Sequence, residues 1–188
     1  MKKLIFLIMF ASLAISVKSQ DGTETKQEER KEIRKEKHAK KITLKELKGK
    51  PVSYQAKQQF QIDFGDHPDA KWVRTDYFDQ VTFTTRDGKQ MTAYYDDDAQ
   101  LVGTTAPATF NDLPEAGKRE IAKHYQNYEN ALVLFFDDNE NNDTDMLLYG
   151  YQFDDADNYF IELKDAKGRP IVLRVSMDGE VTYFADMR

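Results

Sequence analysis

An internal repeat with a step of 80 residues constrains this chain more than any other feature. Asp87-Gly88-Lys89 falls on Lys167-Gly168-Arg169, and Asp98 falls on Asp178 of Asp178-Gly179-Glu180. Between these turns Val81 and Phe83 match Ile161 and Leu163, Ala93 and Tyr95 match Leu173 and Val175, and Leu101 matches Val181. The matched apolar positions are two apart, the period of a strand with one buried face. The Asp-Gly and Lys-Gly pairs supply the positive φ that tight hairpins need. Each copy therefore reads as an antiparallel meander: 76–86, 89–96 and 100–105 in the first, 158–165, 169–177 and 180–185 in the second. Two further strands are expected at 131–136 and 146–153.

A helical pattern precedes each meander. Val52, Ala56, Phe60 and Phe64 recur every four residues and form one stripe that ends at Gly65, ahead of Pro68. Leu113-Pro114-Glu115 opens a second helix, with proline at its first position and a carboxylate at its positive end, and Ile121, Tyr125 and Tyr128 supply its apolar face. Helix, strands, helix, strands with short links is an α+β architecture: two tandem units, each a helix packed on an antiparallel β-meander. The expected divisions are a body at 51–188, with repeat one at about 51–110 and repeat two at 111–188. Trp72 is expected in the core where the first helix meets the sheet.

Leu113-Pro114 followed by Ile121 and Tyr125, the hairpin carrying Ala93-Tyr94-Tyr95-Asp96, and the Phe60/Phe64 helix followed by Ala70 and Trp72 resemble the PepSY-like, β-lactamase-inhibitor-like (BLIP-like) periplasmic proteins. The resemblance covers roughly 52–184. It implies a tandem helix-plus-sheet fold and a role in binding another protein, inhibition of an envelope enzyme being one form such binding could take. Gly117, at a position that is usually aliphatic in that family, and the acidic loop after Phe136 depart from the pattern.

The amino terminus reads as a secretory signal. Lys2 and Lys3 precede an apolar run from Leu4 to Ile15 broken only by Ser12, and Val17-Lys18-Ser19 offers a cleavage site before Gln20. That run falls short of the ~20 residues that span a bilayer. The expectation is a signal peptide at 1–19, a periplasmic or secreted product, and no membrane insertion after cleavage. Cleavage would remove Lys2, Lys3 and Lys18 and take the formal charge from −6 to −9. Residues 26–41 hold eight Lys/Arg against four Glu with only Ile33 and Ala39 as aliphatic positions, so 20–50 reads as a charged tether and folding as beginning near Val52. An acidic chain of this composition is a poor match for nucleic acid. With no cysteine, disulfides, thiolate metal sites and thiol nucleophiles are excluded.

Catalytic chemistry finds little to work with. Beyond the signal segment there are two serines, Ser53 and Ser176, and three histidines, His38, His67 and His124. Ser53 stands where a helix cap belongs, Ser176 lies in a strand, and neither sits in a glycine-bracketed elbow. His-Glu-x-x-His and phosphate-binding glycine patterns are missing from the sequence. The reading is a non-enzyme with no obligatory cofactor.

Two binding hypotheses remain. Asp137, Asn139, Asn141, Asp143 and Asp145 place oxygen side chains at alternate positions, which could suit calcium, with Asn142 in the left-handed backbone that the sixth loop position requires. Position twelve of such a loop would be Leu148, so its bidentate carboxylate is missing; the competing reading is a polar hairpin. The second hypothesis follows from strand alternation. The face opposite the helices carries Phe78, Tyr94, Phe160, Val172, Arg174 and Phe184 among Gln80, Thr82, Thr84, Thr92, Glu162 and Lys164, a composition of aromatics and arginine suited to protein recognition. The expected partner is a protein of the cell envelope. The alternative is that the acidic hairpin, the tether or the linking segment covers part of that face.

Overall fold

The computed structural model describes residues 44–47, 49–154 and 156–187. The expected signal peptide at 1–19 and the basic run at 26–41 lie outside the described residues. Packing starts earlier than the sequence suggests. Leu47 is buried, its amide donates to the Asp76 carbonyl at 2.6 Å, and Leu44 packs on the core, all before Val52.

Helix α1 spans Tyr54–Asp63. Ser53 caps it, its Oγ accepting from the Ala56 amide at 3.3 Å, and so satisfies one of the amides that a helix start leaves open. Ala56 and Phe60 face inward as the four-residue spacing requires. Strands β1 (Lys71–Arg74), β2 (Asp79–Thr84), β3 (Gln90–Tyr95) and β4 (Leu101–Ala108) follow. Helix α2 spans Glu115–His124, with Pro114 as its cap and Tyr125 already extended. After it come β5 (Val133–Asp138), β6 (Met146–Leu148), β7 (Tyr151–Phe153), β8 (Asn158–Lys164), β9 (Pro170–Ser176) and β10 (Val181–Asp186). All but β6 and β7 join one antiparallel sheet of eight strands, in the order β1-β2-β3-β4-β5-β8-β9-β10. The result is α+β, a large antiparallel sheet with two helices.

Three elements differ from the sequence expectation. Tyr125 and Tyr128, expected on the apolar face of α2, lie beyond its end at His124, and Tyr128 opens a separate 3-10 turn at Tyr128–Asn130. Lys71–Arg74, for which no strand was expected, is one: Trp72 pairs opposite Val81 and sets its ring edge-on to Phe60 at 5.6 Å, half-buried at the margin of the core under α1. The single strand expected at 146–153 is a hairpin, β6 against β7, turned by Tyr149 at φ +52° and Gly150 at φ +82°. Two successive left-handed residues make the tight turn that matches strand twist, and Gly150 takes the second of them without steric cost.

The turns recur in detail. The Thr85 amide donates to the Lys89 carbonyl at 2.8 Å and the Asp165 amide to that of Arg169 at 2.9 Å; the Asp96 amide donates to the Gln100 carbonyl and the Ser176 amide to that of Glu180, both at 3.0 Å. Gly179 takes the left-handed position of the last turn, and Ala99 takes its counterpart at φ +61°.

Helix α1 closes one core with Phe60, Val81, Phe83, Ala93 and Tyr95, and α2 closes a second with Ile121, Val133, Ile161, Leu173 and Val175. A third core lies on the opposite side of the sheet. Gly117 has a physical reason. A Cβ there would stand 2.6 Å from Val175 Cγ1, and one at Gly179 would stand 2.7 Å from Ala116 Cβ, so α2 sits too close to the β9–β10 turn for a larger residue.

Candidate binding surface

The face opposite the helices carries the residues that alternation assigned to it, but it is not open. Phe78, Tyr94, Phe160 and Val172 are buried, Phe160 and Val172 completely, and Phe184 and Arg174 are half-buried. The expectation that these six form an exposed face is corrected. The acidic segment folds back as β6–β7 and lays Met146, Leu148 and Phe153 onto the sheet. The Phe153 ring meets Phe160 at 5.0 Å, Phe136 at 5.2 Å and Phe184 at 5.7 Å, all edge-on. Leu44 and Tyr77 pack against the same cluster. Arg174 is held at the rim by Asp154, Nη1 to Oδ1 at 2.9 Å. Alternation predicted the side of the sheet correctly; the cover comes from chain beyond the meander.

What remains accessible on that side lies in two places. Gln80, Thr82, Thr84 and Thr92 form a polar patch on β2 and β3, with the Thr82 and Thr92 hydroxyls 2.9 Å apart. Beside the hairpin tip, a groove of about 530 Å³ is lined by Tyr149, Gly150, Tyr151, Asp186 and Met187. Tyr151 is 47% exposed there, and its ring stands 6.1 Å from Phe184. Tyr149 leans inward and donates to Glu162 Oε1 at 3.0 Å; burial, with the Glu162 carboxylate beside it, raises its phenol pKa. Tyr183, 59% exposed on the edge strand, lies outside this groove: it pairs opposite Leu173 and so belongs to the helix side of the sheet. Tyr149 and Tyr151 are two residues apart in the sequence, but only strand pairing and the hairpin fold bring them beside Asp186 and Met187.

The five residues proposed for calcium run from β5 into the loop after it, with Asn139 and Asn141 in contact and Asp143 exposed. Asp137 lies on β5 and Asp145 accepts from Gln152 Nε2 at 2.7 Å. Asn139 donates through Nδ2 to the Leu101 carbonyl at 2.6 Å while its Oδ1 accepts from the Asn141 amide at 3.3 Å. Asn142, expected in the left-handed region, does not adopt it; its buried Nδ2 ties the loop to Asp96 Oδ2 at 2.9 Å and its Oδ1 accepts from Thr144. Among the described residues no cluster of three or more acidic or histidine side chains has the geometry to hold a metal ion.

The serines serve structure. Ser53 caps α1, and Ser176 Oγ accepts from the Glu180 amide at 3.1 Å in the β9–β10 turn while donating to Asp178. His67 sits with its ring 4.7 Å from Phe83 and Nε2 3.1 Å from the Phe64 carbonyl, and His124 meets Glu120 on the surface. Sequence reasoning missed the buried pair at the start of β2. Asp79, with no exposed surface, receives Arg74 through Nε at 2.6 Å and through Nη2, and accepts the Ser53 amide at 2.9 Å.

Three solved structures share this arrangement. A DUF2874 family protein from Bacteroides ovatus superposes with a TM-score of 0.53 at 12% identity, over 74% of this chain and 92% of that one. A BLIP-like protein from Bacteroides fragilis does so with 0.50 at 15% identity, over 73% and 89%. The fold is that of the BLIP-like proteins. A third BLIP-fold neighbour, a candidate periplasmic protein from Bacteroides eggerthii, gives 0.54 at 11% identity, over 72% and 89%. No family model and no curated protein matches the sequence. Among the described residues no helix is long and apolar enough to cross a membrane.

Proposed function

We propose that this chain is a periplasmic or secreted, non-enzymatic binding module that acts by occupying another protein of the envelope, as an inhibitor does. The observation that carries the reading is the groove at the hairpin tip, an accessible aromatic surface on a BLIP-like fold whose serines are committed to a cap and a turn. Exposed tyrosines beside a carboxylate combine large contact area with hydrogen bonding, the chemistry of recognition hot spots. The BLIP-like and candidate periplasmic neighbours support both the class of activity and the location.

We also infer that the body is two copies of one helix-plus-four-strand unit. Tyr54 to Glu115 and Trp72 to Val133 are each a step of 61, whereas Val81 to Ile161 is a step of 80. The longer step arises between β5 and β8, where the second unit carries β6–β7. The hairpin is then an insertion in one copy that fills the sheet face and moves recognition from that face to the hairpin's own tip.

Affinity capture from an envelope extract tests the function, with the native chain and a Tyr151→Ala variant as parallel baits. The Tyr151 side chain is exposed, so the variant should fold normally. A protein retained by the native chain and lost by the variant is the expected result. Retention of the same proteins by both baits would refute the hairpin-tip reading.

A further inference from the structure

The helix-facing side of the sheet has a gap. The core under α1 takes its residues from β2, β3 and the start of β4, and the core under α2 takes its residues from β5, β8 and β9. Between them runs a lane along β4 and β5 that neither helix covers. Strand register places Ala106 opposite Phe135, and Phe135 opposite Tyr159, all three only half-buried. The Phe135 and Tyr159 rings lie 4.7 Å apart, tilted by 37°. One end of the lane opens into a cavity of about 210 Å³ lined by Phe64, Met91, Leu101, Thr104, Asp137 and Asn139.

The carboxylates of Asp137 and Asp157 adjoin at this lane, with Asp157 Oδ1 accepting the Asp138 amide at 2.9 Å, while Lys118 and Lys89 act on the neighbouring Asp112. Asp137 is exposed two residues along β5 from Phe135, and Asp157 precedes Tyr159 on the same alternation. Partial burial and the Asp157 charge raise the Asp137 carboxyl pKa, and burial with Asp112 and Asp157 nearby raises that of the Tyr159 phenol. Among the described residues no lysine, arginine or histidine forms an ion pair with Asp137 or Asp157. A cation brought here would relieve that repulsion while lying on the outer face of the stacked Phe135/Tyr159 pair, and these two attractions reinforce each other.

We propose that the lane between α1 and α2 is a docking surface for a cationic peptide segment of a partner protein, an arginine of that segment stacking on the outer face of the Phe135/Tyr159 pair with its guanidinium against Asp137 and Asp157. Arginine is the better fit than lysine because its planar group stacks on rings and hydrogen-bonds to carboxylates at the same time. The lane is on the other side of the sheet from the hairpin tip, so this proposal stands or falls independently of the function proposed above.

The test is fluorescence anisotropy at low salt with a fluorescein-labelled peptide of three arginines spaced by glycines. A peptide of the same length with citrulline in place of arginine is the neutral control. Expected is 1:1 binding of the arginine peptide, with Asp137→Asn and Tyr159→Leu each weakening it about fivefold or more. The exposed Asp98→Asn, which removes the same charge outside the lane, should change it by less than about twofold. Phe135→Leu repeats the test should Tyr159→Leu fail to fold, as judged by thermal melts of each variant. No binding, equal binding of the citrulline peptide, or equal weakening by Asp98→Asn would overturn the proposal.

Discussion

Replacing Phe153 by alanine asks whether the hairpin is part of the cooperative core or only rests on it. The β6–β7 ladder has three residue pairs, too short to be stable by itself in water. Its attachment therefore depends on side chains: Met146, Leu148 and Phe153 are buried against the sheet, and Phe153 alone touches three phenylalanine rings at 5.0–5.7 Å. Truncating a buried phenylalanine to alanine costs about 3–5 kcal/mol when the surroundings cannot collapse into the space. The edge-on ring contacts place Phe153 within that range, so a loss of about 3 kcal/mol or more is expected from urea unfolding followed by circular dichroism, with an unchanged slope. The exposed Tyr151→Ala, on the same hairpin, should cost less than about 0.5 kcal/mol. A loss below about 1 kcal/mol for Phe153→Ala would refute the reasoning, since the sheet face would then be stable without its cover.

Four other outcomes follow from the same structure. Asp79→Ala strands the Arg74 guanidinium and the Ser53 amide and should cost about 3–5 kcal/mol in the same unfolding assay. Gly179→Ala combines a left-handed backbone at φ +85° with a Cβ 2.9 Å from the Gly117 nitrogen, and a loss of about 2 kcal/mol or more is expected. Because the Asp137 carboxyl pKa is raised in the folded state, the native chain binds more protons than the unfolded one between the ordinary aspartate pKa and that raised value; stability then falls as pH rises through the window. Asp137→Asn should therefore raise Tm at neutral pH, and the difference should vanish below about pH 3.8. Finally, the amides of Asn139 and Asn142 already close the acidic loop, so millimolar calcium should leave Tm unchanged. A calcium-dependent rise of several degrees would restore the loop as a metal site.

Most of the local structure was legible in the sequence. Period-two apolar spacing located the strands of the meanders, the spacing of Ala56 and Phe60 placed the first helix, and Ser53 stood where its cap belongs, because each depends on neighbours within a few residues. Trp72 in a four-residue strand was not legible, since so short a segment carries no periodicity and pairs only because Val81 lies opposite. The candidate surface was half legible. Alternation put Phe78, Tyr94, Phe160 and Val172 on one side of the sheet, but whether a sheet side meets water depends on chain from elsewhere.

By itself, then, the sequence determined the composition of each element and the side of the sheet that strand residues occupy, except in β10, where a register shift between Tyr183 and Ala185 turns Ala185 to the hairpin-covered side. Backbone pleat and helix pitch impose that much wherever the chain goes. Tertiary structure decided which sides stay open. The 19 residues between β5 and β8 could have extended into solvent as a polar loop; instead Met146, Leu148 and Phe153 gained more by leaving water than the turn at Tyr149 and Gly150 cost. The same packing left β4 and β5 uncovered between the two helices, because each helix buries its single apolar stripe over its own group of strands and neither is wide enough to reach the middle.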